Sequence, residues 1–205
     1  MSILLSTLIE RFPSLSECGK DILSAYNLMA ECYDNGGKLL CCGNGGSAAD
    51  CDHLVGELMK GFLKKRPLSD NEKSDFDDVL LADGLQKGLP AISLCAHSAL
   101  MTAFSNDEVP SFVFAQQVYA YAKNNDVLFA FSTSGNSENV VYAAKAAKAA
   151  GIKSVAITGQ KESRLSEICD VCIRIPETET FRIQELTLPV YHCLAAMIEE
   201  KYFEI

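Results

Sequence analysis

The sequence predicts an α/β fold in which helices flank a doubly wound parallel sheet of five strands. Five short apolar runs lie between residues 39 and 175, and stretches with helical periodicity separate them. Consecutive strands that are joined through helices pair in parallel, and the helices then cover both faces of the sheet. With 205 residues, of which 48% are hydrophobic, the chain has the size and the apolar content of one domain. We therefore expect a single domain over residues 1–205.

The first 35 residues predict a helical extension that precedes the sheet. Leu5, Leu8 and Ile9, and later Ile22 and Tyr26, recur at helical spacing, and no glycine-rich phosphate loop interrupts them. From residue 38 onwards, short apolar runs replace this pattern. The expected strands are residues 39–42, 91–95, 127–131, 154–157 and 171–175, and the main expected helices are residues 48–62, 112–123, 137–150 and 183–202.

Residues 64–90 interrupt the alternation of strands and helices. Loops of this length without regular structure are uncommon in compact domains and are often mobile. We interpret the segment as a solvated acidic insertion loop, and a lid or a subunit contact is the alternative. It contains Pro67, few apolar anchors and six acidic residues, Asp70, Glu72, Asp75, Asp77, Asp78 and Asp83.

Charge and cysteine content exclude several classes of function. The formal net charge of -9 disfavours a nucleic-acid partner, because phosphate backbones attract dense clusters of Lys and Arg. The nine cysteines lack the spacing of a secreted disulfide framework, so we expect reduced, mostly buried thiols. The sequence shows neither a run of about 18 apolar residues nor a leader-like segment. We therefore expect a cytoplasmic protein without a membrane partner.

Two strand-to-helix turns carry the signals for phosphate binding. The first turn, residues 43–47, reads Gly-Asn-Gly-Gly-Ser and brings free backbone N–H groups to the positive end of a helix dipole. The second turn, residues 132–137, supplies four hydroxyl side chains. A glycine-rich turn alone can be only a tight connection, but both turns follow parallel strands and should share one sheet edge. The candidate phosphate-binding residues are Asn44, Gly45, Gly46, Ser47, Ser132, Thr133, Ser134 and Ser137.

Two of the three histidines lie close in sequence to a second polar residue. His53 and Glu57 are four residues apart on an expected helix, so both side chains can approach one ion. Gln184 and His192 are eight residues apart; on an unbroken helix they differ by about 80° and about 12 Å of rise, and they converge only if Gln184 starts the helix. Spacing alone favours a hydrogen-bonding role for Gln184, because a carboxamide is a weak metal ligand. For each histidine taken singly, a satisfied buried residue is the alternative.

These turns and histidine segments together resemble the sugar isomerase (SIS) domain family over nearly the whole chain outside residues 64–90. Within that family the chain is most similar to the bacterial phosphoheptose isomerases, which interconvert sedoheptulose 7-phosphate and an aldoheptose 7-phosphate. The resemblance implies a SIS-type fold and a homotetramer with sites at subunit interfaces. It also implies one zinc ion, or another divalent metal, per site, with His53, Glu57, Gln184 and His192 as ligands.

The resemblance also assigns roles in an aldose–ketose exchange. Such a reaction requires a base that moves a proton between neighbouring carbons through an enediolate. Glu57 suits this step if burial raises its pKa, and His192 or the metal would stabilise the enediolate and relay protons between its oxygens. We therefore expect Glu57 and His192 to be catalytic and Gln184 also to contact the substrate, whose phosphate the two turns position.

Two positions depart from the pattern that the resemblance implies. Phosphoheptose isomerases commonly have an Asp after the second strand and another before the Arg-Ile-Gln segment, where this chain has His97 and Phe181. His97 is either a replacement sugar contact or a helix-capping residue. Two other functions therefore stay open beside the isomerase. They are a non-catalytic sensor or regulator that binds a sugar phosphate, and a lyase or deaminase that acts on an amino sugar phosphate.

Overall fold

Five parallel strands form one sheet in the computed structural model, which describes residues 2–203. Their order across the sheet is β2-β1-β3-β4-β5, and every neighbouring pair is parallel. The doubly wound parallel sheet expected from the sequence is thereby confirmed, and the winding direction changes between β1 and β3. The strands are β1 (Leu39–Cys42), β2 (Ala91–Ser93), β3 (Val127–Phe131), β4 (Lys153–Thr158) and β5 (Val171–Arg174).

Ten α-helices connect and cover these strands within residues 2–203. In this part of the chain, none of them combines the length and the apolarity that a membrane crossing requires. They are α1 (Ile3–Arg11), α2 (Gly19–Asp34), α3 (Gly46–Met59), α4 (Asp70–Lys73), α5 (Val79–Gly84), α6 (Ser98–Asp107), α7 (Val113–Tyr121), α8 (Glu138–Ala149), α9 (Arg164–Ile168) and α10 (Thr180–Tyr202).

Alternate strand residues pack into two cores on opposite faces of the sheet. In β1, Leu39 and Cys41 join the core formed with α1, α2, α3 and α10. Leu40 and Cys42 join the core formed with α7, α8 and α9. Burial on both faces explains why the strands read as continuous apolar runs rather than as alternating ones. On the first face α3 and α10 pack against each other, which brings the two histidine segments together.

Several helices differ from the sequence-based expectation. Helix α3 ends at Met59, three residues before the expected end at residue 62, and α9 was not among the main expected helices. The last helix begins at Thr180, three residues before the expected start at residue 183. Helix α6 was not among the expected helices, and none of its residues is fully buried. A helix without a buried face leaves little apolar periodicity in the sequence, so this pattern could not reveal it.

Residues 64–90 contain the short helices α4 and α5 rather than an irregular loop throughout. A capping box between Ser69 and Glu72 starts α4, and the Asp78 carboxylate accepts the N–H of Leu81 at the start of α5. The two ends of the segment meet where the N–H of Lys87 donates to the carbonyl of Arg66 at 2.7 Å. Most of the acidic side chains are exposed, as expected for solvated charges.

Candidate active site

His53, Glu57 and His192 bring three potential metal donors within 4.8 Å of one another, and we call them the donor cluster. The Nε2 atom of His53 lies 3.1 Å from Oε1 of Glu57 and 3.4 Å from Nε2 of His192. His53 and Glu57 are one turn apart on α3, and His192 comes from α10. The packing of α3 against α10 therefore builds the cluster from two segments that are distant in sequence.

The donor set of the cluster suits a divalent metal such as zinc. Two imidazole nitrogens and a carboxylate oxygen are typical zinc ligands. Burial and the nearby His53 lower the pKa of His192, although Glu57 opposes the shift, so the His192 imidazole is neutral at neutral pH and keeps a lone pair for a cation. The side chain of His53 is 45% exposed and that of Glu57 only 14%, so the cluster opens towards solvent on the His53 side.

Tyr191 and Asp50 lie behind the cluster, and sequence reasoning did not identify them. The Tyr191 hydroxyl lies 2.9 Å from Nδ1 of His53 and 3.3 Å from Oδ1 of Asp50. Burial raises the pKa of the Tyr191 hydroxyl, as does the Asp50 carboxylate, so the hydroxyl keeps its proton at neutral pH. Burial likewise raises the pKa of Asp50. The sequence signals were the position of Tyr191 beside His192 and of Asp50 one turn before His53.

The first turn connects β1 to α3 and is tied to the neighbouring turn. Gly45 has φ 57° and Gly46 lies so close to α10 that an added Cβ would be 2.5 Å from Nε2 of Gln184. The Asn44 and Asn139 side-chain amides form two reciprocal hydrogen bonds of 2.9 and 2.8 Å. Asn139 belongs to α8, which follows the second turn. This pair of hydrogen bonds therefore holds the two turns together at one edge of the sheet.

The second turn connects β3 to α8 and presents its hydroxyl groups at the same edge. Ser132 Oγ and Ser137 Oγ lie 3.0 Å apart, and Gly135 between them has φ 64°. Thr133 and Ser134 line a cleft of about 260 Å³ that continues between the end of β4 and the start of α10. Lys161 also lines this cleft and adds a positive charge that sequence reasoning did not identify.

Gln184 lies against the first turn. The helix α10 begins four residues before Gln184, so Gln184 and His192 are separated by about 12 Å of helix rise. Gly46, which the Gln184 amide approaches, lies about 10 Å before His53 along α3. The condition for convergence, Gln184 at the helix start, is not met. Its place among the metal ligands stays a prediction, and so does its contact with the substrate.

His97 and Phe181 lie at the ends of helices rather than in the cluster. His97 occupies the N-cap position of α6, but its side chain makes no capping hydrogen bond. Its ring instead stacks on Tyr121 with the centroids 5.9 Å apart. The capping interpretation is therefore correct for the position and wrong for the side chain. Phe181 lies in the first turn of α10 and is 55% exposed.

A buried ion pair supports the segment that follows α3. Arg66 donates from Nε to Glu199 Oε1 at 2.8 Å, and from its two Nη atoms to the carbonyls of Leu58 and Glu57 at 2.7 and 3.2 Å. Glu199 lies on α10, and both charged side chains are almost fully buried. Arg66 thus attaches the end of α3, including the backbone of Glu57, to the helix that carries His192.

Comparison with known families agrees with this geometry. The family model of the SIS domain matches residues 7–159, which is most of the chain. The chain therefore belongs to the SIS domain family.

Within this family, several similar proteins are phosphoheptose isomerases. The phosphoheptose isomerase of Rhodospirillum rubrum is 36% identical over 194 residues, which cover 95% of this chain and 93% of the relative. The structure of phosphoheptose isomerase GmhA from Neisseria gonorrhoeae has a TM-score of 0.74 at 31% identity and covers 95% of this chain and 96% of that one. The Francisella tularensis enzyme has a TM-score of 0.75 at 29% identity and covers 98% and 100%. The chain is thus a sugar phosphate isomerase of the phosphoheptose isomerase type.

Proposed function

We propose that the chain interconverts sedoheptulose 7-phosphate and D-glycero-D-manno-heptose 7-phosphate by metal-assisted proton transfer through an enediolate. The observation that carries the proposal is the donor cluster of His53, Glu57 and His192 beside two turns that suit phosphate. A sugar phosphate sensor would need the turns but has no need for a carboxylate and two imidazoles that converge on one point. The similarity to phosphoheptose isomerases supports the same substrate.

The two turns hold the phosphate group in this proposal. Backbone N–H groups at the start of α3 and the hydroxyl groups of the second turn donate hydrogen bonds to its oxygens, and the α3 dipole favours its negative charge. Gln184 contacts the substrate next to Gly46. The residues assigned to the phosphate and its neighbourhood are Asn44, Gly45, Gly46, Ser47, Ser132, Thr133, Ser134, Ser137 and Gln184.

Glu57 and His192 move the protons. The Glu57 carboxylate takes a proton from the carbon beside the carbonyl and returns it to the neighbouring carbon. His192, with its lowered pKa, relays the proton between the two oxygens of the enediolate. Glu57 is only 14% exposed, so little water competes for the proton that it carries. This arrangement assigns the proton on carbon and the proton on oxygen to different side chains.

We propose His53, Glu57 and His192 as the residues that hold a zinc ion, whereas Gln184 as a fourth ligand stays a prediction of the family resemblance. When bound, a divalent metal polarises the carbonyl and stabilises negative charge on the enediolate oxygen. The donor types and their separation of at most 4.8 Å support this assignment.

We also propose a homotetramer with sites at subunit interfaces. An apolar groove of about 360 Å³ between α1 and α10 borders His192 and includes Leu188, which is 39% exposed. A second subunit placed here would cover apolar surface and close the donor cluster from solvent.

The nine cysteines are free thiols, which supports a reducing compartment such as the cytoplasm.

The test is turnover of sedoheptulose 7-phosphate in heavy water, followed by NMR. The proposal predicts an aldose that carries deuterium at carbon 2. The base takes the proton from carbon, and this proton exchanges with heavy water before the base returns it. Glu57→Gln should lower kcat by about 10²–10⁴-fold. Glu200→Gln neutralises an exposed carboxylate of α10 and should leave kcat unchanged. Binding of the heptose phosphate without turnover in the metal-loaded wild-type protein would refute the enzyme and favour the sensor.

A further inference from the structure

We infer that Tyr191, with Asp50 behind it, is a positioning residue that holds His53 in the tautomer whose Nε2 lone pair faces the donor cluster. The inference deepens the metal site proposed above and rests on it. It assigns no chemistry to Tyr191 itself, which acts only through His53. The three groups form one hydrogen-bonded row from Asp50 through the Tyr191 hydroxyl to His53.

The row is held in place by packing. Tyr191 is only 1% exposed, and its ring makes edge contacts with His53, His192 and Phe131 at centroid distances of 5.5, 5.0 and 6.0 Å. Asp50 and His53 are three residues apart on α3, so both lie on the helix face that α10 covers. The hydroxyl therefore has a fixed position between a carboxylate and an imidazole nitrogen.

The direction of the hydrogen bonds follows from what each group can donate. Nε2 of His53 faces Glu57 and His192, so it must be unprotonated to accept a cation. A neutral imidazole then carries its proton on Nδ1, which donates to the Tyr191 oxygen at 2.9 Å. The Tyr191 hydroxyl in turn donates to the Asp50 carboxylate, which only accepts. Each donor of this row then has an acceptor, and the Nε2 lone pair of His53 is left for the cation.

The opposite direction blocks the metal site. If the Tyr191 hydroxyl donated to Nδ1, the His53 proton would lie on Nε2 and would point at Glu57. That tautomer offers a hydrogen bond to the Glu57 carboxylate but no lone pair to a cation. Asp50 decides between the two arrangements, because its carboxylate accepts the hydroxyl proton and leaves the Tyr191 oxygen free to accept from His53.

The test uses protein labelled with ¹⁵N in its histidines, of which the chain has three. Long-range proton–nitrogen NMR of the metal-free protein reports the His53 tautomer, with a His53→Gln sample for assignment, and calorimetric titration with zinc reports affinity. Tyr191→Phe keeps the buried ring and removes the hydroxyl. Tyr202→Phe is the matched control, since its hydroxyl donates to Ala30 and Asp34 near the other end of α10.

We expect Tyr191→Phe to lose the excess of the Nδ1–H tautomer and to bind zinc about 10–100-fold more weakly, the usual effect of removing a partner of a ligating histidine. Tyr202→Phe should match the wild type in both measurements. Asp50→Asn should shift His53 towards the Nε2–H tautomer, because the new amide can donate to the Tyr191 oxygen and reverse the row.

An unchanged tautomer and an unchanged zinc affinity in Tyr191→Phe would overturn the inference. So would a loss of the same size in Tyr202→Phe, because it would show a general effect of removing a hydroxyl from α10. A wild-type protein that binds no zinc would refute the proposed metal site instead. The tautomer comparison, which needs no metal, would then decide the role of Tyr191 alone.

Discussion

Replacing Glu199 by Gln tests how the segment after α3 is held beside the candidate active site. The Glu199 carboxylate accepts N–H groups from Phe62, Leu63 and Lys64 at 2.8, 2.7 and 3.1 Å. It also accepts Nε of Arg66 at 2.8 Å, and the side chains of the pair are 1% and 0% exposed. Solvent therefore cannot screen the Arg66 charge once the carboxylate is neutral. Breaking such a buried pair costs about 3–5 kcal/mol.

We expect Glu199→Gln to lower the free energy of unfolding by about 3–5 kcal/mol. For a domain of this size, about 2–4 °C per kcal/mol corresponds to a Tm lower by about 6–20 °C. Denaturant and thermal unfolding followed by circular dichroism measure both values. Asp83→Asn is the control, because it breaks a pair with Lys73 whose side chains are 58% and 32% exposed, and it should cause no measurable change.

A loss below about 1 kcal/mol for Glu199→Gln would refute this reasoning, because an ordinary neutral hydrogen bond contributes that much. The double variant Arg66→Met/Glu199→Leu separates two causes of the loss. If the uncompensated Arg66 charge dominates, the apolar pair should recover most of the stability. If the double variant is as unstable as Glu199→Gln, the hydrogen bonds to the N–H groups after α3 carry the effect.

Three further predictions follow from the structure. Burial alone would raise the pKa of Glu199. The N–H groups of Phe62 and Leu63 and the Arg66 guanidinium lower it by more, so the pKa lies below its ordinary value. Its stabilisation is complete above the ordinary glutamate pKa of about 4.3 and is lost as the pH falls through the lower folded pKa, so the Tm gap between wild type and Glu199→Gln should narrow below about pH 4. Gly45→Ala should cost about 1–3 kcal/mol in denaturant unfolding, because φ 57° with ψ -121° strains a residue with a Cβ although nothing lies near enough to clash. Chelation of divalent ions should abolish isomerase turnover, and added zinc should restore it, whereas unchanged turnover would argue against the metal.

The apolar runs predicted the sheet because its central strands, β1 and β3, are buried on both faces. Leu39 to Cys42 is fully buried, and such a strand has no polar face to obscure its pattern. The turns were predictable for a related reason, since each follows a strand of the same parallel sheet. Helix α6 escaped detection because no residue of it is buried. An apolar pattern in the sequence therefore reveals a helix or strand only where one of its faces is buried.

The parts of the site that could not be predicted depend on contacts between distant residues. Arg66 and Glu199 are 133 positions apart, and Tyr191 and His53 are 138 apart. Neither pair has a spacing that a sequence can display. His53 and Glu57 were accessible because one helix turn fixes their relation. Gln184 shows what helical spacing cannot predict. Its distance from His192 follows from the helix, but its contact with Gly46 depends on how α3 packs against α10.

The length of the seven-carbon substrate fits the separation between the turns and the donor cluster. Gly46 lies about 10 Å from His53 along the axis of α3. An extended polypeptide advances about 1.1–1.2 Å per backbone bond, so the roughly eight bonds from carbon 1 to the phosphorus of a heptose 7-phosphate span about 9–10 Å. In the proposed function, Gln184 lies at the phosphate end of this path and His192 at its carbonyl end, both on α10. The proposed roles therefore match the length of the substrate, because α3 and α10 each contribute one residue near the first turn and another in the donor cluster.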